Sequence, residues 1–85
     1  MVRRRENTRA IIANVGEVRR LNNSSSGNPR FQFYFTDHQR RITMSDNVVG
    51  HFLAGVEQSF VGRKVRVQLK RFNGHEYIVG VVETS

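Results

Sequence analysis

The chain has 85 residues, enough for one domain with a single small core. It has no cysteine, which excludes disulfides, thiolate metal sites and thiol nucleophiles. Its 14 Lys and Arg against 7 Asp and Glu give a net charge of +7, a balance that favours a polyanionic partner such as nucleic acid. No apolar run approaches the roughly 18 residues of a membrane span, so a soluble, cytoplasmic or nucleoid-associated protein with no membrane partner is expected.

Residues 1–7, "MVRRREN", read as a basic tail ahead of a single domain over 8–85. Arg3, Arg4 and Arg5 are expected to serve at most as a nonspecific phosphate anchor. Only Lys64 and Lys70 are lysines; every other cation is an arginine, whose planar fork suits phosphate and base stacking. A generally basic surface is the plain alternative.

Residues 8–22, "TRAIIANVGEVRRLN", carry β-branched residues around a central Gly16. They predict a long first strand bent at a bulge. The polar "NNSSSGNP" (22–29) is a loop, expected to be mobile. In "RFQFYFTD" (30–37), Phe31, Phe33 and Phe35 alternate with Arg30, Gln32 and Tyr34, the pattern of a half-buried strand. In "QRRITMS" (39–45), Ile42 and Met44 alternate with Arg41 and Thr43. A short turn at Asp37-His38 would pair Phe33 with Ile42 and Tyr34 with Arg41, leaving Arg41 and Thr43 facing outward.

Val49, Phe52, Leu53, Val56 and Phe60 recur at helical spacing within residues 45–62. A helix of about 14 residues follows, with Ser45, Asp46 or Asn47 as cap and Gly62 as its end. Gly50 and Gly55 weaken such a helix by about 1 kcal/mol each relative to alanine, a cost consistent with close packing against the rest of the fold.

The last stretch, "VRVQLKRFNGHEYIVGVVE", centres on Asn73-Gly74, the strongest short signal for a two-residue hairpin turn. That turn pairs Phe72 with His75, Arg71 with Glu76, Lys70 with Tyr77 and Leu69 with Ile78. Leu69, Ile78, Val67, Gly80, Val65 and Val82 are then the core face, with an Arg71–Glu76 ion pair at the tip. Phe72, His75, Lys70, Tyr77, Gln68, Val79, Arg66 and Val81 face outward. Val79 and Val81 on a solvated face raise the possibility of a protein partner there.

Three strands, a helix and two more strands, led by a long glycine-bent strand and ending in the "FNGHEY" hairpin, resemble the OB-fold, a five-stranded Greek-key barrel. The resemblance spans about residues 8–83. The rival architecture is another small barrel, or an α+β sheet with one helix across it. The OB resemblance implies binding across strands 2 and 3, rimmed by the strand 1–2 and strand 4–5 loops. The implied nucleic-acid-binding residues are Arg19, Arg20, Arg30, Gln32, Tyr34, Arg41, Thr43, Arg66, Lys70, Phe72, Asn73, His75 and Tyr77. Arg19, Arg20, Arg30, Arg41, Arg66 and Lys70 supply charge for the backbone; Tyr34, Phe72 and Tyr77 are platforms for bases. Each ring also has a structural reading: Tyr34 beside Arg41, Phe72 steadying the turn with His75, and Tyr77 packed on the Lys70 stem.

Enzymatic work is not expected. His38, His51 and His75 lack metal-ligand spacing, no glycine-rich phosphate loop follows a strand, and no carboxylates form a pair. No cofactor or metal is implied. The expected function is binding of single-stranded DNA or RNA. The alternative is an OB-like protein-interaction module within a larger assembly.

Overall fold

The computed structural model of the chain describes residues 8–45 and 48–84. The basic tail and two of the candidate helix caps, Asp46 and Asn47, lie outside them. The described chain is mostly β. Its elements are β1 (Thr8–Leu21), β2 (Arg30–Phe35), β3 (Arg41–Ile42), α1 (Val49–Leu53), a 3₁₀ turn (Glu57–Phe60), β4 (Lys64–Phe72) and β5 (His75–Glu83). The strands form one five-stranded antiparallel sheet in the order β3-β2-β1-β4-β5. The edge strands β3 and β5 meet at one parallel bridge, Thr43–Ile78, where the Met44 amide donates to the Ile78 carbonyl at 2.9 Å.

β1 serves two neighbours because it bends. Residues 8–14 pair with β4, and residues 15–21 pair with β2. The change falls at Gly16, the extra residue between the Val15–Phe35 and Glu17–Tyr34 pairs. A bulge advances the side-chain alternation by one, so Ala13 and Val15 before it and Val18 after it all point into the core. A methyl at Gly16 would stand 3.2 Å from Thr36 Cγ2, so the bulge is also tightly packed.

Phe31, Phe33 and Phe35 of β2 are buried, as their alternation requires. Val65, Val67 and Leu69 of β4 and Ile78 of β5 complete the sheet side of the core. Val49 and Leu53 close it from α1. The Phe33 ring stacks on Phe35 at 6.1 Å and meets Phe60 at 6.4 Å.

The expected long helix does not form. Gly55 adopts φ +88°, a left-handed conformation that ends α1 after little more than a turn, and the chain resumes as the 3₁₀ turn. Val48 takes the N-cap position with no side-chain cap, so Ser45 does not cap it. Of the apolar stripe, Val49 and Leu53 are buried and Phe60 is partly so, whereas Phe52 is 76% exposed. Gly50 has a packing role: a Cβ there would sit 2.0 Å from the Pro29 carbonyl oxygen, so no side chain fits where α1 crosses the β1–β2 loop. That loop also folds on itself. The Ser24 and Gly27 amides donate across it to Asn28 and Ser24 carbonyls, and the Asn28 amide donates to Ser24 Oγ. Asn28 then ties it to the Ser45 carbonyl and to His51.

β3 is shorter than expected and its register differs by one residue. Gln32 pairs with Ile42, and Phe33 with Arg41. The reason lies in the connection. Asp37 does not form a two-residue turn but accepts from the Asn14 amide and side chain, and the His38 ring donates to the Ile12 carbonyl at 3.0 Å. The loop is thereby clasped to β1, and β3 joins later.

The β4–β5 hairpin has the expected register from Phe72–His75 to Leu69–Ile78, with Asn73 and Gly74 both at positive φ. Beyond it Val79 is an extra residue: Gln68 pairs with Gly80, and Val67 with Val81. Val81 therefore turns inward against the core and Val82 outward, 61% exposed, the reverse of the expected arrangement. Gly80 faces out under the Gln68 side chain, whose Oε1 lies 2.9 Å from where its Cβ would be. Val79, half-buried at the bulge, and Val81, packed against the core, therefore do not share the outward face expected of them as a possible partner site.

No helix among the described residues is long and apolar enough to cross a membrane.

Candidate functional site

Two surfaces hold most of the sequence-derived candidates. The first is the outward face of the three-stranded unit made by the start of β1, β4 and β5. Alternation puts Lys64, Arg66, Gln68, Lys70 and Phe72 in a row along β4, all exposed. Register sets Ile12 and Val82 either side of Arg66, Tyr77 beside Lys70, and His75 beside Phe72. Phe72 is 57% exposed, and none of the residues that pair with the outward β4 row is acidic; Glu83, exposed at the end of β5, pairs with inward Val65. The hairpin-tip Asn73 is exposed next to it.

Lys64 and Arg40 were not among the expected contacts. Alternation from Arg66 would have supplied Lys64; nothing local marks Arg40, which the β2–β3 loop brings to the second surface, described next.

The second surface is a groove of about 230 Å³ between the sheet edges. Gln32 of β2, Arg40 and Arg41, and Ile42 of β3 line one side; His75, Glu76 and Tyr77 of β5 line the other. Four residues singled out on three strands, Gln32, Arg41, His75 and Tyr77, are brought together here. The His75 and Tyr77 rings meet edge to face at 6.3 Å.

Glu76 holds the end of this groove. Its carboxylate accepts from Arg9 Nε at 2.7 Å and Nη2 at 2.8 Å, and from Arg41 Nη2 at 3.3 Å. The expected Arg71–Glu76 ion pair is replaced by this triad, in which Arg9 and Arg41 reach the Glu76 carboxylate. The triad links β1, β5 and β3, so it spans the edges that the backbone joins at only one bridge. The Glu76 side chain is 11% exposed, where removing one partner leaves a poorly solvated charge.

The Arg9 hydrogen bonds hold the Glu76 carboxyl below the usual glutamate range, with the charges of Arg9, Arg41 and Arg71 adding to the effect and desolvation opposing it. Asp37 is lowered too, first by the Asn14 amide. A carboxyl whose folded pKa lies below its unfolded value stabilises the fold above the unfolded value, about 4.3 for Glu. That contribution is lost as pH falls through the folded pKa. The melting temperature should therefore drop as pH is lowered below about 4, and Glu76→Gln should flatten part of that drop. An unchanged pH profile in Glu76→Gln, with Asp37→Asn as comparison, would show that the triad adds no stability.

The remaining candidates separate from these surfaces. Arg19 pairs with Glu17 and lies over the Tyr34 ring at 5.6 Å, while the Tyr34 hydroxyl donates to Gln32 Oε1. Tyr34 is paired with Glu17 across strands, not with Arg41. Arg20 lies over the Phe31 ring at 5.6 Å and donates to Asn23. Arg30 reaches the Asn22 carbonyl at 3.5 Å. Thr43 does not belong to any surface: it is fully buried, and its Oγ1 accepts from the Phe31 amide at 3.0 Å. The shift in β3 register turned it inward.

Every acid among the described residues is engaged: Glu17 with Arg19, Asp37 with Asn14, Glu57 with the Gly55 amide, Glu76 with Arg9 and Arg41, and Glu83 with Arg63. Arg40, Lys64, Arg66, Lys70 and Arg71 form no ion pair among the described residues. Of these, Lys64, Arg66 and Lys70 lie in the outward β4 row, while Arg71 adds its charge to the field at Glu76.

Compared with protein-family models, with curated proteins and with solved structures, the chain matches none of them.

Proposed function

We propose that the chain is an OB-like barrel that binds single-stranded nucleic acid, DNA or RNA, through cation contacts to the backbone and stacking of bases on exposed rings. The observation that carries this reading is the outer face of β4 and β5, where unpaired Lys64, Arg66 and Lys70 run beside exposed Phe72. Cations along a track with rings between them are what single-strand binding requires. The fold adds support. A β1 shared between β2 and β4, and a single parallel bridge between β3 and β5, accord with that reading. The groove between β3 and β5 adjoins the charged face through Tyr77 and His75. A cytoplasmic or nucleoid-associated location accords with this role.

Fluorescence anisotropy with labelled single-stranded DNA, single-stranded RNA and duplex tests it. Micromolar or tighter binding to a single strand is expected at about 50 mM salt, falling at least about tenfold at 200 mM as counterions are released. No binding at the lower salt overturns the reading.

A second reading has its own observation. Val48, Phe52, Val56 and Val61 are exposed in and around α1 and the 3₁₀ turn, which suits a protein-interaction module within an assembly. Binding through that apolar segment would be nearly insensitive to salt.

A further inference from the structure

The outward face of β1, β4 and β5 keeps its cations in one line. Side chains two apart share a face of a strand, so Lys64, Arg66 and Lys70 stand in a row on β4, which lies between β1 and β5. The residues paired with that row on β1 and β5 include no lysine or arginine. A polyanion crossing the sheet at right angles to β4 meets one of these cations, whereas one running along β4 meets all three.

Spacing and flanks agree with the lengthwise path. Same-face positions on a strand recur about every 6.6–6.8 Å, close to the separation of successive phosphates on a stretched nucleotide chain. Lys64 and Arg66 are one such step apart, and Arg66 and Lys70 are two. The skipped step is Gln68, an uncharged donor whose side chain lies over Gly80. Gly80 on one side of Gln68 and Ala10 on the other are small, so no bulky neighbour stands over the middle of the row. Beside Arg66, Ile12 and Val82 are 49% and 61% exposed; Tyr77 flanks Lys70, and Phe72 ends the row. Apolar side chains on either side of a line of charge suit sugars and bases splayed from a line of phosphates. Bases are free to splay only in a single strand; in a duplex the same side chains would meet sugar and phosphate alone.

We propose that the bound strand lies lengthwise along β4, as an extended segment of about four nucleotides with a phosphate beside each of Lys64, Arg66, Gln68 and Lys70. The inference rests on the single-strand reading above and adds the path and length of the bound segment. It departs from the path over β2 and β3 that the OB resemblance implies.

Fluorescence anisotropy with the full chain and a labelled oligothymidine or oligouridine of about eight nucleotides, whichever binds tighter, reads the path from the slope of log affinity against log salt. Lys64→Ala, Arg66→Ala and Lys70→Ala should each make the slope shallower by about 0.7. Gln68→Lys fills the skipped step, so it should steepen the slope by about 0.7 and tighten binding severalfold at low salt. Ser25→Lys places the same charge in the β1–β2 loop, at the rim of the other path, and should leave the slope unchanged; circular dichroism confirms that each variant folds. A slope change in only one of the three alanine variants overturns the lengthwise path and leaves single-strand binding standing. So does a slope steepened by Ser25→Lys and not by Gln68→Lys. Failure of the unsubstituted chain to bind overturns both.

Discussion

Phe33→Ala should destabilise the chain by about 3–5 kcal/mol, while Phe52→Ala should change it by less than about 0.5 kcal/mol. Both phenylalanines sit in apolar patterns of comparable regularity, so the sequence ranks them alike. The structure does not. Phe33 is fully buried between Phe35 and Phe60, and its removal leaves a cavity that rigid β2 cannot collapse to fill. Phe52 projects from α1 with most of its surface in water. A chain of 85 residues has a total stability of about 4–13 kcal/mol, so the Phe33 loss is a large share of it. Urea denaturation followed by circular dichroism measures both variants. Phe33→Leu, a smaller perturbation, keeps the comparison measurable if the alanine variant does not fold. Equal losses at the two positions would mean that Phe52 is covered in solution, as the protein-interaction reading requires.

Phe72→Ala should weaken single-strand binding by about 1–3 kcal/mol and leave the melting temperature nearly unchanged, if a base stacks on the ring. The ring is exposed beside His75 at the hairpin tip and takes no part in the core cluster. Because stacking releases no counterions, the loss should persist at high salt. Arg66→Ala and Lys70→Ala should behave differently, each reducing the slope of log affinity against log salt by about 0.7, one phosphate's worth. Val67→Ala provides the opposite control: its fully buried side chain pairs with inward Val81, so it should cost stability by cavity formation. A Phe72→Ala variant that melts early and binds as tightly as the original when folded would put the ring in a structural role.

The elements that were legible in the sequence are those whose cause is local. Asn73-Gly74 sets its own turn because both residues accept positive φ, and the turn fixes the neighbouring register through Leu69 and Ile78. Phe31, Phe33 and Phe35 reach the core because successive side chains on a strand take opposite faces. Gly16 marks the bulge that lets β1 turn from β4 to β2. The charge that recommends a polyanionic partner is also a property of composition alone.

Tertiary structure decided the rest. Whether residues 45–62 form one helix depended on where α1 could cross the β1–β2 loop, and the Gly50–Pro29 contact and the Gly55 turn allowed only a short one. The direction of Thr43 depended on Asp37 and His38 finding partners on β1, which delayed β3 by one residue. The faces of Val81 and Val82 depended on a bulge at Val79, invisible to a period-2 count until β4 and β5 are paired. Glu76 has Arg71 opposite it across the hairpin, yet its partners come from β1 and β3, which only the folded sheet brings to its carboxylate. Alternation and turn chemistry act over a few residues and are written in the chain; the coiling that sets Gln32 and Arg41 across a groove from His75 and Tyr77 depends on every strand between them, and only the folded sheet determines it.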